Sequence, residues 1–188
     1  MYPARRKAVF LDRDGVLNRP LIREGKPYPA ETLEQFEIYP EVPDACRQLK
    51  EAGFLLVVVT NQPDVGRGTL SQSAVEVMHE HMRKLLPIDR VEVCYAAGNE
   101  EPPDDCRKPR PGMLLKAARE LNIDLKKSFM VGDRWRDIDC GQAAGCVTIF
   151  IERGYREKLR QQPHFRAANL AEAARIIIEQ AAPTNMMC

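Results

Sequence analysis

Acidic residues stand directly behind short apolar runs at two places in this chain. Phe10-Leu11 leads into Asp12-Arg13-Asp14-Gly15-Val16, and Val131-Gly132 leads into Asp133-Arg134-Trp135-Arg136-Asp137-Ile138. A third apolar run ends in Val59-Thr60-Asn61-Gln62, and Lys108 sits in Cys106-Arg107-Lys108-Pro109-Arg110-Pro111-Gly112, just ahead of a helical stretch. If the runs are neighbouring strands, these carboxylates, a hydroxyl and an ammonium converge at one sheet edge. Carboxylates packed together repel, so something must neutralise them. A hard divalent cation does this with oxygen ligands, and Mg²⁺ typically takes one or two protein carboxylates, waters and a substrate phosphate oxygen. An aspartate can act as a nucleophile and carry a phosphoryl group. A second carboxyl two residues away can handle protons. The constellation reads as phosphoryl transfer to Asp12, with Asp14 as acid and then base.

The elements that must position these groups follow from the apolar pattern. Strands are expected at 8–11, 54–59, 91–95, 128–131 and 146–151. Helices are expected at 42–52, 71–86, 112–121, 138–144 and 170–182, with Gly53 as a C-terminal cap and Ser71 as an N-cap. Strand and helix alternate about five times, which predicts a doubly wound, mainly parallel, Rossmann-like α/β sheet. Ligands of such sheets bind at the carboxyl ends of the strands. Three irregular intervals, 19–40, 98–111 and 154–168, are each too short for a cap domain, so residues 1–188 are expected to form one domain. The tail from Pro183 is expected to fray.

Composition narrows the field further. The chain has 188 residues and a formal net charge of +1, so no whole-protein charge draws it to nucleic acid or anionic lipid. Aromatic residues make up 6%, too few for a basic stripe interleaved with stacking platforms. No apolar run approaches the ~20 residues of a membrane span. The start, Met1-Tyr2-Pro3-Ala4-Arg5-Arg6-Lys7, lacks the apolar stretch of a signal peptide, so a cytoplasmic protein is expected. The six cysteines are scattered without a CxxC pair and read as reduced thiols, with Cys46, Cys140 and Cys146 as small buried residues. His79 and His81 lie two apart on a helix, which places them on different sides; they read as surface residues.

Asp-x-Asp-Gly-Val, an apolar strand ending in Thr, a lysine, and Gly-Asp-x-x-x-Asp resemble the four ordered motifs of the haloacid dehalogenase (HAD) superfamily of phosphatases, over residues 9–138. Asp12 to Asn18, Thr60-Asn61-Gln62 with Arg67-Gly68, and Cys106-Arg107-Lys108-Pro109-x-Pro111-Gly112-Met113 resemble the D-glycero-D-manno-heptose 1,7-bisphosphate 7-phosphatases within it. The histidinol-phosphate phosphatases are their near relatives. The resemblance implies a Mg²⁺-dependent phosphatase of a small sugar phosphate, monomeric and without a cap domain. It implies Asp12 as nucleophile, Asp14 as acid/base, and Asp12, Asp133 and the Asp14 carbonyl as metal ligands. Thr60 and Asn61, and with them Gln62, would hold the transferring phosphate and Lys108 would neutralise it. Arg67, Arg107 and Arg134 would contact substrate. Asp137 would orient Lys108 or a metal-bound water.

The chain departs from that pattern in two places. The family's zinc loop, Cys-x-His and then Cys-x-Cys, reads here as Cys94-Tyr95-Ala96 and Asp104-Asp105-Cys106. Two thiolates and Asp104 fall short of the four N/S ligands of a structural zinc site, so zinc is not expected. Pro63-Asp64 replaces the usual Ser-Gly and puts a carboxylate beside the phosphate loop, which Arg67 could offset. Trp135 is expected to pack under a loop, and His164 carries no signal. The cluster Arg153, Arg156, Lys158 and Arg160 reads as a solvated face. Besides the heptose bisphosphate, two readings stay open: a phosphatase of histidinol phosphate or another small phosphomonoester, and a non-catalytic phosphosugar-binding module.

Overall fold

The computed structural model describes residues 4–98 and 105–182. The Met1–Pro3 start, Asp104 with most of the loop 98–105, and the tail from Pro183 lie outside the described residues.

Six strands form one sheet. In chain order these are β1 (Ala8–Leu11), β4 (Leu55–Asn61), β5 (Arg90–Cys94), β6 (Phe129–Gly132), β7 (Val147–Ile151) and β8 (Phe165–Ala167). Their spatial order is β5-β4-β1-β6-β7-β8, and every pairing is parallel. The chain builds outward from β1 in one direction and then in the other, the expected doubly wound topology, with its switch point at β1. Register matters here: Leu11 lies opposite Val58 on one side and Val131 on the other. The residues just beyond these three strands therefore stand level with one another.

Both faces of the sheet are covered. Val9 and Leu11 point into one core with Leu56, Val58 and Val131, while Ala8 and Phe10 point into a second with Leu55, Val57 and Met130. The first core is closed by α1 (Val42–Glu51), α3 (Gln72–Leu85) and α6 (Leu170–Ala181). The second is closed by α4 (Gly112–Glu120) and α5 (Trp135–Ala143). Strands covered on both faces are apolar throughout, and that is why the runs were legible. Gly53 turns the chain at the end of α1 with φ 84°, and Ser71 Oγ accepts from the Ala74 N–H at 3.1 Å to cap α3.

Several short elements were not anticipated. The interval 19–40 contains an antiparallel hairpin, β2 (Leu21–Arg23) and β3 (Lys26–Tyr28). Its strands have three residues each and no alternating pattern, so they carry little periodic signal. Gln62 is followed by a short helix, α2 (Pro63–Gly66), and β8 adds an edge strand inside the interval 154–168.

Two expectations about side chains are overturned. His79 is fully buried, because it falls in the α3 stripe Val75, Met78, His79, Met82 that faces the core. Cys94 and Cys106 are not separate thiols: they form a disulfide, with Cα atoms 5.5 Å apart. The end of β5 and the approach to α4 come together in space, which sequence spacing could not show. Cys46, Cys140 and Cys146 are free and buried, as expected.

Candidate active site

The ends of β4, β1 and β6 build the site. The Asp12 N–H donates to the Val131 carbonyl at 3.0 Å and extends the β1–β6 ladder by one residue, so Asp12 and Asp133 are brought side by side. Gly15 makes this approach possible. It has φ 95°, and a Cβ there would lie 1.8 Å from Asp133 Oδ2. The turn is tied down from outside by Arg153, whose Nε donates to the Gly15 carbonyl at 2.7 Å.

Lys108 reaches this point from the loop before α4. It is 3% exposed. Its Nζ lies 2.7 Å from Asp12 Oδ1 and 2.7 Å from Asp137 Oδ1, and donates to the Val59 carbonyl at 2.9 Å. Burial opposes its charge, but the Asp12 and Asp137 carboxylates prevail and hold the ammonium above the ordinary lysine range. Asp137 also caps α5, since its Oδ2 accepts from the Arg134 N–H at 3.0 Å. Asp137 thus touches Lys108, one of the two groups it was expected to orient.

Asp14 faces a different set of partners. Arg13, wholly buried, donates Nε to Asp14 Oδ2 at 3.0 Å and Nη2 to Oδ1 at 3.2 Å. Asn18 Nδ2 donates to Oδ1 at 3.0 Å and Gln62 Nε2 to Oδ2 at 2.9 Å. Gln62 Nε2 also donates to Thr60 Oγ1 at 2.9 Å. Gln62 was expected at the substrate; it is fully buried and braces Asp14 and Thr60. Asn61 lines the cavity, yet both ends of its amide are engaged by the Lys108 backbone.

The charges do not balance without a cation. Oxygens of Asp12, Asp133 and Asp137 lie within 4.8 Å of one another, and all three residues are buried. Asp14 is matched by Arg13, and Lys108 matches one of the other three carboxylates. Two negative charges remain, the number a divalent ion cancels. Burial, with Asp137 next, pushes the Asp12 carboxyl up to about 6 against the pull of Lys108. Burial, with Asp12 and Asp137 beside it, raises Asp133 well above the ordinary carboxylate range. Neither Asp133 oxygen has a hydrogen bond of good geometry. A buried carboxylate with open lone pairs beside a second one is a fitting donor set for a hard cation.

A cavity of about 310 Å³ opens over this cluster. Asp12, Asp14, Thr60, Asn61, Lys108, Arg67, Arg107 and Arg134 all line it. Arg107 is anchored by Nη1 donating to the Ala96 carbonyl at 2.9 Å. Burial and the neighbouring Arg136 and Arg67 lower its pKa, the mark of a crowded cationic wall. Arg67 pairs with Asp64 at 3.1 Å, so the extra carboxylate of that loop is offset. Arg134 pairs with Glu157 at the rim. Arg136 and the hairpin residues Lys26 and Tyr28 also line the cavity and had not been singled out. For Arg136 a signal existed: it follows Arg134 in the same strand-to-helix turn.

A family model described as HAD-hydrolase-like matches residues 105–173. The chain is 38% identical over 184 residues to the D-glycero-beta-D-manno-heptose-1,7-bisphosphate 7-phosphatase of Pasteurella multocida, covering 92% of this chain and 97% of that protein. It is 40% identical over 156 residues to the protein of that name from Escherichia coli K12, covering 78% of each. The crystal structure of D,D-heptose 1,7-bisphosphate phosphatase from B. bronchiseptica, complexed with magnesium and phosphate, matches with a TM-score of 0.76 at 26% identity, over 93% of this chain and 99% of that one.

Proposed function

The chain belongs to the heptose 1,7-bisphosphate 7-phosphatase family of HAD-like hydrolases, and from that premise we propose that it removes the 7-phosphate of D-glycero-D-manno-heptose 1,7-bisphosphate through an aspartyl-phosphate on Asp12. The observation that carries the chemistry is the Lys108 ammonium, 2.7 Å from Asp12 Oδ1, beside the buried carboxylate of Asp133. The cationic wall of Lys26, Arg107 and Arg136, flanked by Arg67 and Arg134 with their carboxylate partners, suits a substrate with two phosphates. Histidinol phosphate carries an amine, which such a wall would repel.

In this reading the Asp12 carboxylate attacks the phosphorus while the bond to the C7 oxygen breaks. Asp14 gives its proton to that oxygen. Asp14, now a carboxylate, takes a proton from a water that attacks the phosphorus of the aspartyl-phosphate, and the phosphorus–Asp12 bond opens to free phosphate. Lys108 offsets the charge on the phosphoryl oxygens, and Thr60 with the Asn61 loop sets their position. Mg²⁺ would be held by Asp12, Asp133 and the Asp14 carbonyl, and would supply further charge neutralisation at the transferring group.

We place this chemistry in one catalytic domain without a cap, acting as a cytoplasmic monomer. Among the described residues no helix is long and apolar enough to cross a membrane. Zinc is not part of this reading, because Cys94 and Cys106 are the only thiols of the family's zinc loop that the chain retains. The test is phosphate release, with and without Mg²⁺, from the α and β anomers of the heptose bisphosphate and from histidinol phosphate, with Asp12→Asn as the blank. Mg²⁺-dependent release from one heptose anomer is the expected result. A fully active Asp12→Asn protein would overturn the mechanism, and preference for histidinol phosphate would overturn the substrate. No release from any ester would favour a phosphosugar-binding module.

A further inference from the structure

His79 is a buried imidazole that packing alone does not require. It lies in the apolar stripe of α3, where a leucine would fill the same kind of space, yet its Nε2 is 3.1 Å from Arg13 Nη1. Guanidinium groups only donate, so Nε2 must accept and the ring proton resides on Nδ1. Nδ1 in turn faces Glu76 Oε2 at 3.6 Å, beyond hydrogen-bond reach. Burial, and then the Arg13 charge, pull the His79 pKa down to about 4, which keeps the imidazole a neutral acceptor.

Arg13 has no exposed surface and works with two edges. Its Nε and Nη2 hold both oxygens of Asp14, and its Nη1 is fixed by His79. The Phe36 ring, 5.4 Å from the guanidinium carbon, covers one side. Without the imidazole, Nη1 loses that acceptor and the guanidinium can rotate about its stem. The Arg13 fork on Asp14 would then lose its fixed angle, while the donors from Asn18 and Gln62 keep theirs. The ionised, Arg13-paired form of Asp14 is the form that takes a proton from water.

Resting on the reading of Asp14 as acid and base, we infer that His79 is a positioning residue: through Arg13 it orients the Asp14 carboxylate for hydrolysis of the aspartyl-phosphate. This step lies more than one contact away from α3. Asp14 serves both halves of the reaction, and a leaving group that needs no acid isolates what His79 does in the second half.

The test is stopped-flow release of p-nitrophenol from p-nitrophenyl phosphate, whose leaving group needs little help from an acid. His79→Leu is expected to lower kcat about tenfold, part of the 10²–10⁴ a general base supplies. KM falls with it, so kcat/KM changes less than about threefold, and a p-nitrophenol burst larger than the wild-type burst appears. His79→Gln, whose amide oxygen can accept from Arg13, restores kcat and removes the burst. A merely structural role would lower burst and steady-state rate together, and that result overturns the inference, as does an unchanged His79→Leu. Arg13→Lys keeps the charge but loses the two-edged fork; it is expected to behave like His79→Leu and decides the matter if that variant does not fold. Asp14→Asn separates the two levels. If it bursts and stalls while the His79 and Arg13 variants do not, only the positioning role falls. If it neither bursts nor slows, the base role of Asp14 falls as well.

Discussion

Asn61 and Lys108, forty-seven residues apart, exchange a pair of hydrogen bonds. Asn61 Oδ1 accepts from the Lys108 N–H and Asn61 Nδ2 donates to the Lys108 carbonyl, both at 3.1 Å. The side chain at the end of β4 thus mimics a strand partner for the loop that carries the buried ammonium. Asn61→Ala would leave both backbone groups without that partner. A stability loss of about 1–3 kcal/mol is expected from denaturant melts. A fall in kcat of at least about tenfold is also expected, because a small misplacement of a catalytic group is costly. Asn61→Asp keeps the acceptor and loses the donor, and should fall between.

Gly15→Ala tests the close approach of the first turn to Asp133. The added Cβ would meet Asp133 Oδ2 at 1.8 Å on a backbone with φ 95°. Neither the turn nor the buried carboxylate can yield freely. Activity should fall at least about a hundredfold, with a weaker apparent Mg²⁺ affinity in a titration of rate against metal. An unchanged metal dependence would argue that Asp133 does not hold the ion.

Arg136 and Arg107 are expected to bind the phosphate that is not cleaved. Alanine at either position should raise KM for the heptose bisphosphate about tenfold or more, as expected for loss of a charged hydrogen bond. KM for a sugar monophosphate should change little. Equal losses on both substrates would place these arginines at the transferring phosphate instead.

His79 should leave a signature in the pH dependence of stability. Its folded pKa of about 4 lies below the ordinary histidine value of 6.5. The unfolded chain therefore binds the extra proton first. Stability from the neutral imidazole is complete above about pH 6.5, declines as the pH falls, and is gone below about pH 4. At pH 5 the loss is about 2 kcal/mol. Urea melts at pH 7 and pH 5 should show this loss in the wild type relative to His79→Gln, whose side chain does not titrate.

Much of this site was legible from local pattern. Asp12, Asp133 and Thr60 announced themselves because each follows a run of residues that only a doubly covered strand would bury. Lys108 and Asp137 were legible from their motifs, with Asp137 expected to orient either Lys108 or a metal-bound water; the 2.7 Å contact between them is a finding of the tertiary structure. The switch-point topology followed from alternation of strand and helix. The signal for His79 was present too, in its i, i+4 relation to Val75, but a polar residue in such a stripe reads as surface until its partner is known.

Sequence alone determined the buried strands β1, β4, β5, β6 and β7 and which residues stand at their ends, and hence that carboxylates and a hydroxyl share one edge if those strands are neighbours. Those features depend on contacts a few residues apart, so they are written locally. Tertiary structure decided the rest: that Gln62 braces Asp14, that Asn61 holds the Lys108 backbone, that Cys94 bonds Cys106, and that Arg13 joins His79 to Asp14. Each is a pairing between distant segments, made by side chains whose polar groups must find partners once burial removes water. Which partner is in reach depends on how the layers close over the sheet, and no spacing along the chain encodes that distance.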